Sequence, residues 1–395
     1  MDGVDRSADW ERFCAELARA GEVLRRPATP RDELTQAEGL RYLARMIRAG
    51  LENRLEMADL AHPVLTRMVD QWLLYEGVTS DARYHHALID GAGRHRLRGE
   101  RGSAPLFEIG VYDGKQAIHE QSHLLASLTE AELEVDPDGR FELALGPERR
   151  AGNWLRTDAR ARYLMVREYS ADWRATRAGR FELVREDTPA AREPLGLEEA
   201  RSGLAHAAEF LARATAFWAS LSEYWAGLAP NRFLYTPLGG GVQRRRLDDE
   251  GRELAREDCA ALPQAAADSR TEVAPPAGHQ FSCGWFQLEP GQALRLHFAP
   301  VPAPYWGLEL TNYWYEPLLY GQGRSILNLA TAQREPDGSV RAVIAARDPG
   351  LPNWLDCDGH REGMMVFRLS RAEVPPPAIE TELVPLDALR ARARA

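Results

Sequence analysis

The stretch from Asp348 to Arg361 holds the strongest set of residues able to do chemistry in this chain. Two prolines and a glycine make Asp348-Pro349-Gly350-Leu351-Pro352 a rigid loop, and Asp356, Asp358, His360 and Arg361 follow within one hairpin's length. Three uses are open to His360. As a general acid or base it would titrate near neutral pH, with Asp348 or Asp356 orienting its ring. As a metal ligand it would join Asp356 and Asp358, because alternate positions on an extended strand point one way. As structure, these residues satisfy the backbone of a turn. No HExxH, HxH or CxxC spacing supports a metal, so no cofactor is expected, and a divalent ion on these three residues stays as an alternative.

A second set is aromatic and rich in amides: Tyr305, Trp306, Asn312, Trp314, Tyr315 and Tyr320. Read as one strand, Trp306, Leu308, Leu310, Asn312 and Trp314 share a face, which leaves Asn312 among apolar groups in need of a hydrogen-bond partner. A ligand could be that partner. With Arg324, Asn328, Asn353 and Arg361 as further candidate ligand-binding residues, such a pocket suits a sugar or an oxygenated apolar molecule of terpenoid or sterol type. The alternative is an ordinary sandwich core. Tyr84-His85-His86, with Asp90, is a third set, whose two histidines fall on opposite strand faces; His279 and His297 can be read either way.

What must position these residues is a repeated β-rich unit. Pro137-Asp138-Gly139, then Asn153-Trp154-Leu155-x-x-Asp158, then Arg167 recur as Pro336-Asp337-Gly338, Asn353-Trp354-Leu355-x-x-Asp358 and Arg368, and Leu97 and Pro105 match Leu296 and Pro304 at equal spacing. Asp-Gly between apolar runs signals a hairpin, because glycine accepts the positive φ of tight turns. The tryptophan of each copy is expected to plug its sandwich and the asparagine to cap a turn. Residues common to both copies are therefore read as scaffold. Copy one has Arg160 and Ala161 where copy two has His360 and Arg361, so chemistry is sought where the copies differ.

Around the copies the period is helical. Thr29-Pro30 opens a helix as hydroxyl cap and first-turn proline, and Leu40, Leu43, Ala44, Ile47 and Leu51 form its apolar stripe while Arg41, Arg45 and Arg48 face solvent. Residues 197–228 form a second helix, with Leu204, Ala207, Leu211, Ala214, Trp218, Leu221 and Trp225 on one face, packed within the chain or across a homo-oligomer. A Gly239-Gly240-Gly241 turn, a charged segment to Cys259 and an Ala/Pro-rich linker at 263–278 follow. The predicted organisation is α+β: a helical region at 1–80, a first β-rich unit at 81–190, a helical segment at 191–262 and a C-terminal β-sandwich unit at 263–395. The two units are expected to be jelly-roll-type sandwiches.

The C-terminal block, Tyr305-Trp306-Gly307, Asn312-Tyr313-Trp314, Asn328, Pro336-Asp337-Gly338, Asp348 to Asp356 and Gly359-His360-Arg361, resembles the bacterial family called domain of unknown function 1214. The resemblance extends upstream through Arg94 to Gly102 and Arg167 to Trp173. It implies β-sandwich units accompanied by helices and brings no activity with it.

Composition narrows the remaining classes. In 395 residues, 49 Lys and Arg stand against 59 Asp and Glu, and the net charge of −10 repels polyphosphates. The clusters Arg94, Arg96, Arg98 and Arg101, and Arg244 to Arg246, read as solvated faces, so no nucleic acid is expected. The N-terminal residues lack the basic and apolar regions of a secretory signal, no apolar run could span a membrane, and four scattered cysteines suit a reducing compartment, so the expected location is the cytoplasm. Without a GxSxG elbow, a phosphate loop or a GxGxxG turn, acyl transfer at a serine and nucleotide chemistry are disfavoured. Cys357, between two aspartates, is a poor nucleophile. The expected function is an enzyme without organic cofactor, a lyase, isomerase or hydrolase of a small oxygenated metabolite. The alternative is a non-catalytic binding or assembly protein presenting an aromatic groove.

Overall fold

The structure, a computed structural model, describes residues 6–67, 69–74, 78–114, 124–188, 191–236 and 279–393. The expected glycine turn at 239–241, the arginines at 244–246, the charged segment to Cys259 and the linker at 263–278 lie outside these residues.

Helix α1 (Arg6–Ala20) leads through a tight turn to α2 (Glu33–Leu51), whose cap is Asp32, accepting from the Thr35 N–H. Thr29 is not that cap; its hydroxyl donates to the Val23 carbonyl instead. The buried face of α2 overlaps the expected one but is turned from it: Leu43 and Ile47 pack on the core beside the buried Tyr42, Met46 and Ala49, whereas Leu40 is 65% exposed. The reason is Glu38 and Arg45, which point inward to ion-pair partners and draw the helix round.

The first sandwich has nine strands: β1 (Thr66–Arg67), β2 (Ala82–Leu88), β3 (His95–Glu100), β4 (Leu106–Tyr112), β5 (Leu124–Thr129), β6 (Arg140–Gly146), β7 (Trp154–Arg156), β8 (Tyr163–Tyr169) and β9 (Arg180–Arg185). Helix α3 (Leu197–Ala226) intervenes and packs within the chain against α1 and α2. The second sandwich follows as β10 (Leu234–Thr236), β11 (His279–Gln287), β12 (Gln292–Phe298), β13 (Tyr305–Thr311), β14 (Ile326–Asn328), β15 (Val340–Ala345), β16 (Trp354–Asp356), β17 (Glu362–Ser370) and β18 (Glu380–Pro385), then helix α4 (Leu386–Ala393). The first sandwich thus begins inside the region expected to be helical, and the second takes in a strand from before residue 263.

The repeat is complete at the level of topology. One pair of sheets runs β1-β2-β8-β4-β5 and β7-β6-β3-β9, the other β10-β11-β17-β13-β14 and β16-β15-β12-β18, so each strand has its counterpart nine places on. Even the parallel pair β6/β7 recurs as β15/β16. Gly139 and Gly338 both carry positive φ, at 79° and 85°. Their turns do not close hairpins, however, because the strand before each belongs to the opposite sheet; they aim β6 and β15 across the sandwich. The asparagines cap as expected: each amide donates to two carbonyls of the neighbouring loop and strand, Glu134 and Glu142 for Asn153, Gln333 and Arg341 for Asn353. The tryptophans do not plug the sandwiches. Side chains alternate along a strand, so Leu155 and Leu355 enter the two interiors, while Trp154 lies under Arg149 and Trp354 packs outside against α4.

Each sandwich has its own apolar interior, and a third core lies between them. That third core joins the outer faces of the two five-stranded sheets to α2 and α3. It explains why β4, β8 and β13 are buried along their whole length, since both faces of these strands are covered. The four-stranded sheet β7-β6-β3-β9 instead presents Arg96, Arg98, Glu142 and Glu182 outward in cross-strand ion pairs. Among the described residues no helix is long and apolar enough to cross a membrane.

Candidate functional site

Two buried polar clusters result. The first contains His360. Strand β16 ends at Asp356 and the chain turns at once, with Asp358 at φ 49°, the Asp358 N–H held by the Asp356 carboxylate and the His360 N–H by the Cys357 carbonyl. Asp356, Asp358 and His360 therefore do not alternate along an extended strand, and the geometry proposed for a metal is not formed. The His360 ring has its Nδ1 2.9 Å from the Cys357 carbonyl oxygen and its Nε2 2.8 Å from Glu38 Oε2. The same Glu38 oxygen accepts from the Asn312 amide at 2.9 Å, and Asn312 also donates to Glu316, which Arg45 engages at 2.6 Å.

Burial opposes the charge on both Glu38 and His360, but their mutual hydrogen bond and attraction prevail, so the Glu38 pKa is lowered and that of His360 raised. The histidine is half of an ion pair that fastens α2 to the second sandwich, and both its ring nitrogens are occupied by the chain itself. Cys357 is pushed up to about 12 by burial and by Asp356, as a poor nucleophile should be.

The other predicted residues scatter. Trp306 stacks on Phe367 inside the second sandwich, Trp314 stacks on Tyr42 of α2, and its indole donates to the Thr35 carbonyl. The two tryptophans do not share a face, because β13 ends at Thr311, before Asn312. Arg324 and Arg361 are exposed, Arg324 lying 3.6 Å from Asp356, and Asp348 caps Gly350 in an exposed loop. His360 and Asn312 converge, then, but Arg324 does not join them. Of the first pair of histidines, His86 meets Asn53 of the turn after α2, and His85 packs edge-on to Phe181 inside the first sandwich.

The second cluster lies in the seam between the repeats. On β13 the face opposite Trp306 carries Tyr305, Gly307 and Glu309; on β8 the face opposite Leu164 and Val166 carries Tyr163, Arg167 and Tyr169. Tyr305 donates to Asp81 Oδ2 at 2.9 Å, and the Asn328 amide donates to the same oxygen at 2.8 Å. Among the described residues no donor reaches Asp81 Oδ1. Glu309 accepts from the Ser80 N–H at 3.1 Å and from its hydroxyl through Oε1, while its Oε2 is buried without a described partner.

Alongside, Tyr169 packs against both Tyr305 and His279, with its hydroxyl 3.5 Å from that of Tyr84. His279 is bonded to Ser370 at 2.9 Å and lies 4.0 Å from Glu108, the carboxylate that faces Arg167. Arg167 donates to Tyr112, and Arg368, its counterpart in the second repeat, lies over Phe281 and donates to the Val78 carbonyl.

Two glycines make room for the tyrosines. A Cβ at Gly307 would lie 2.3 Å from the Tyr305 hydroxyl, and one at Gly110 would lie 2.7 Å from the Tyr112 ring. In each repeat a tyrosine folds over a glycine two residues away on the same strand face.

The electrostatics follow from burial. Desolvation, then the neighbouring Glu309, pushes the Asp81 carboxyl up to about 7. Burial likewise raises Glu309 and Glu108. His279 is driven down to about 3 by burial and by Arg167 and Arg368, so its ring is neutral. A buried carboxylate with a pKa near neutrality, beside tyrosines and arginines, has the properties of a group that moves protons. Sequence reasoning named two members of this cluster, Tyr305 and Asn328, but missed Asp81, Glu309 and the residues of the first repeat, because it followed the Trp306 face of β13; the spacings Gly110-Val111-Tyr112 and Tyr305-Trp306-Gly307 were the signal for the other face.

Among solved structures, the chain is similar to an uncharacterised protein from Burkholderia cenocepacia, 28% identical over 96% of this chain and 97% of that one, with a TM-score of 0.83. A second, the VPA0106 protein from Vibrio parahaemolyticus, is 10% identical over 93% and 100% of the two chains, with a TM-score of 0.46. No curated protein matches. The family model described as protein of unknown function (DUF1214), the family that the C-terminal block resembles, matches residues 75–172 and 286–374, one match within each sandwich.

Proposed function

We propose that this chain is an acid–base enzyme, a lyase, isomerase or hydrolase of a small oxygenated metabolite, whose working groups lie in the seam between the repeats. The observation that carries the reading is Asp81: a buried carboxyl tuned to about 7, oriented through one oxygen by Tyr305 and Asn328, with the other oxygen free of described donors. In this reading Asp81 takes and returns the proton, Tyr305 and Asn328 position it, and Arg167 and Arg368 offset negative charge that develops on the substrate. His360 belongs to the fastening of α2 and takes no part in the reaction. A cytoplasmic location goes with the reading and is in keeping with the free thiols of Cys14 and Cys357.

The test incubates purified protein with a bacterial metabolite extract and follows consumption by mass spectrometry. A compound transformed by the parent and at least about 100-fold more slowly by Asp81→Asn supports the proposal. Full turnover by Asp81→Asn overturns the assignment. A compound that binds and is returned unchanged favours the binding-protein alternative, for which the close packing of the seam tyrosines speaks.

A further inference from the structure

Away from the seam, a cavity of about 220 Å³ opens where α2 gives way to the first sandwich. Helix α2 continues without a break into a π-helical turn, Glu52–Glu56, closed by the Met57 N–H on the Glu52 carbonyl. Such turns widen a helix by one residue and often mark functional places. Here the turn is pinned from one side by Asn53, whose side chain meets His86 Nε2 at 2.6 Å. Burial, then Arg54, drives His86 down to about 3, so the neutral ring donates to Asn53. From the other side α3 presses on the turn through Gly203, where a Cβ would lie 2.6 Å from Leu55 and 3.0 Å from the Arg54 carbonyl oxygen. With its neighbours fixed, the turn sends Arg54 to the cavity wall.

The wall has two parts. Ala58, Leu60, Leu88 and Ile89 make it apolar, while Arg54, Arg162 and His206 supply basic nitrogen. Among the described residues the one carboxylate there, Glu209, is engaged by Arg213. Arg162 donates to the Ala159 and Ala161 carbonyls, and among the described residues no carboxylate reaches it. The cavity shares no lining residue with the seam.

We propose that this cavity is a binding site for a small organic monoanion: a carboxylate on a short apolar body, with the head at Arg162 and the body against Leu88 and Ile89. Charge selects the head, since among the described residues no carboxylate reaches Arg162 and the one on the wall, Glu209, is engaged by Arg213. Volume limits the body. At about 30 Å³ per water the space equals roughly seven waters, or one carboxylate the size of benzoate or hexanoate.

The probes are benzoate and hexanoate, titrated calorimetrically into the full chain at low salt, beside benzamide and hexanamide. One-to-one binding of a carboxylate is expected, about tenfold or more weaker for its amide and in Arg162→Gln, and blocked in Ala58→Phe, which fills the space. Arg162 is exposed, so Arg162→Gln decides the matter if a thermal melt shows that Ala58→Phe fails to fold. The proposal is overturned by no binding of either acid, by equal binding of acid and amide, or by affinity that neither substitution changes.

Discussion

The two polar clusters are built from the same materials and differ in closure. Around His360 every strong group has a partner: Glu38 takes His360 and Asn312, Asn312 reaches Glu316, and Glu316 takes Arg45. In the seam the groups are as deeply buried, yet among the described residues Glu309 keeps an oxygen without a partner and Asp81 is held through one oxygen. The pKa directions follow this only in part, since burial raises Glu316 of the closed cluster as well. Pairing lowers Glu38 in spite of burial, whereas Asp81 and Glu309 are raised. A satisfied network fastens helices and sheets; an under-satisfied one stores the capacity to exchange a proton.

Substitutions that open the closed cluster are the sharpest way to break this contrast. Arg45→Ala leaves Glu316 buried without its cation, held among the described residues only by Asn312, and is expected to destabilise the fold by about 3–5 kcal/mol, measured by urea unfolding at neutral pH. His360→Ala, which strips Glu38 of its cation while Asn312 and Arg41 remain, should cost less, about 2–4 kcal/mol. Neither loss should carry over to Asp81→Asn.

For Asp81 the expected effect is one of pH. Its folded pKa of about 7 lies above the unfolded value, so the folded state holds the extra proton, and the stability this gives is lost as pH rises from about 4 to 7. A shift of about three units corresponds to at most roughly 4 kcal/mol. The melting temperature of the parent should therefore fall between pH 5 and pH 8 more steeply than that of Asp81→Asn; parallel profiles would show that Asp81 titrates normally. At the small end, Arg98→Ala, which removes an exposed pair with Glu182, should leave the melting temperature unchanged.

Much of the architecture was legible because it is local. The Asn-Trp-Leu and Asp-Gly signals recur with the turns they build, and Ala207, Leu211, Ala214, Trp218 and Trp225 mark the buried face of α3 at helical spacing. What was not legible depends on distant partners. Nothing near Leu40 says that Glu38 and Arg45 will turn inward, since their partners, His360 and Glu316, lie more than 270 residues away. On β13 both faces are buried, so alternation offers two candidate faces without ranking them, and a shift of one residue exchanges Trp306 for Tyr305. Comparing the copies also misdirected the search. Arg167 and Arg368 are common to both and were set aside as scaffold, yet each brings a guanidinium to the seam.

The reach of the seam has a consequence for how the chain folds. Asp81 meets Tyr305 and Asn328 across 224 and 247 residues, whereas each sandwich can close on contacts within its own span. Contacts of such separation form late, because loop closure must come before they can hold. The sandwiches are thus the early units and the seam the last to set, so a lesion such as Tyr305→Phe should speed unfolding and leave the refolding rate nearly untouched.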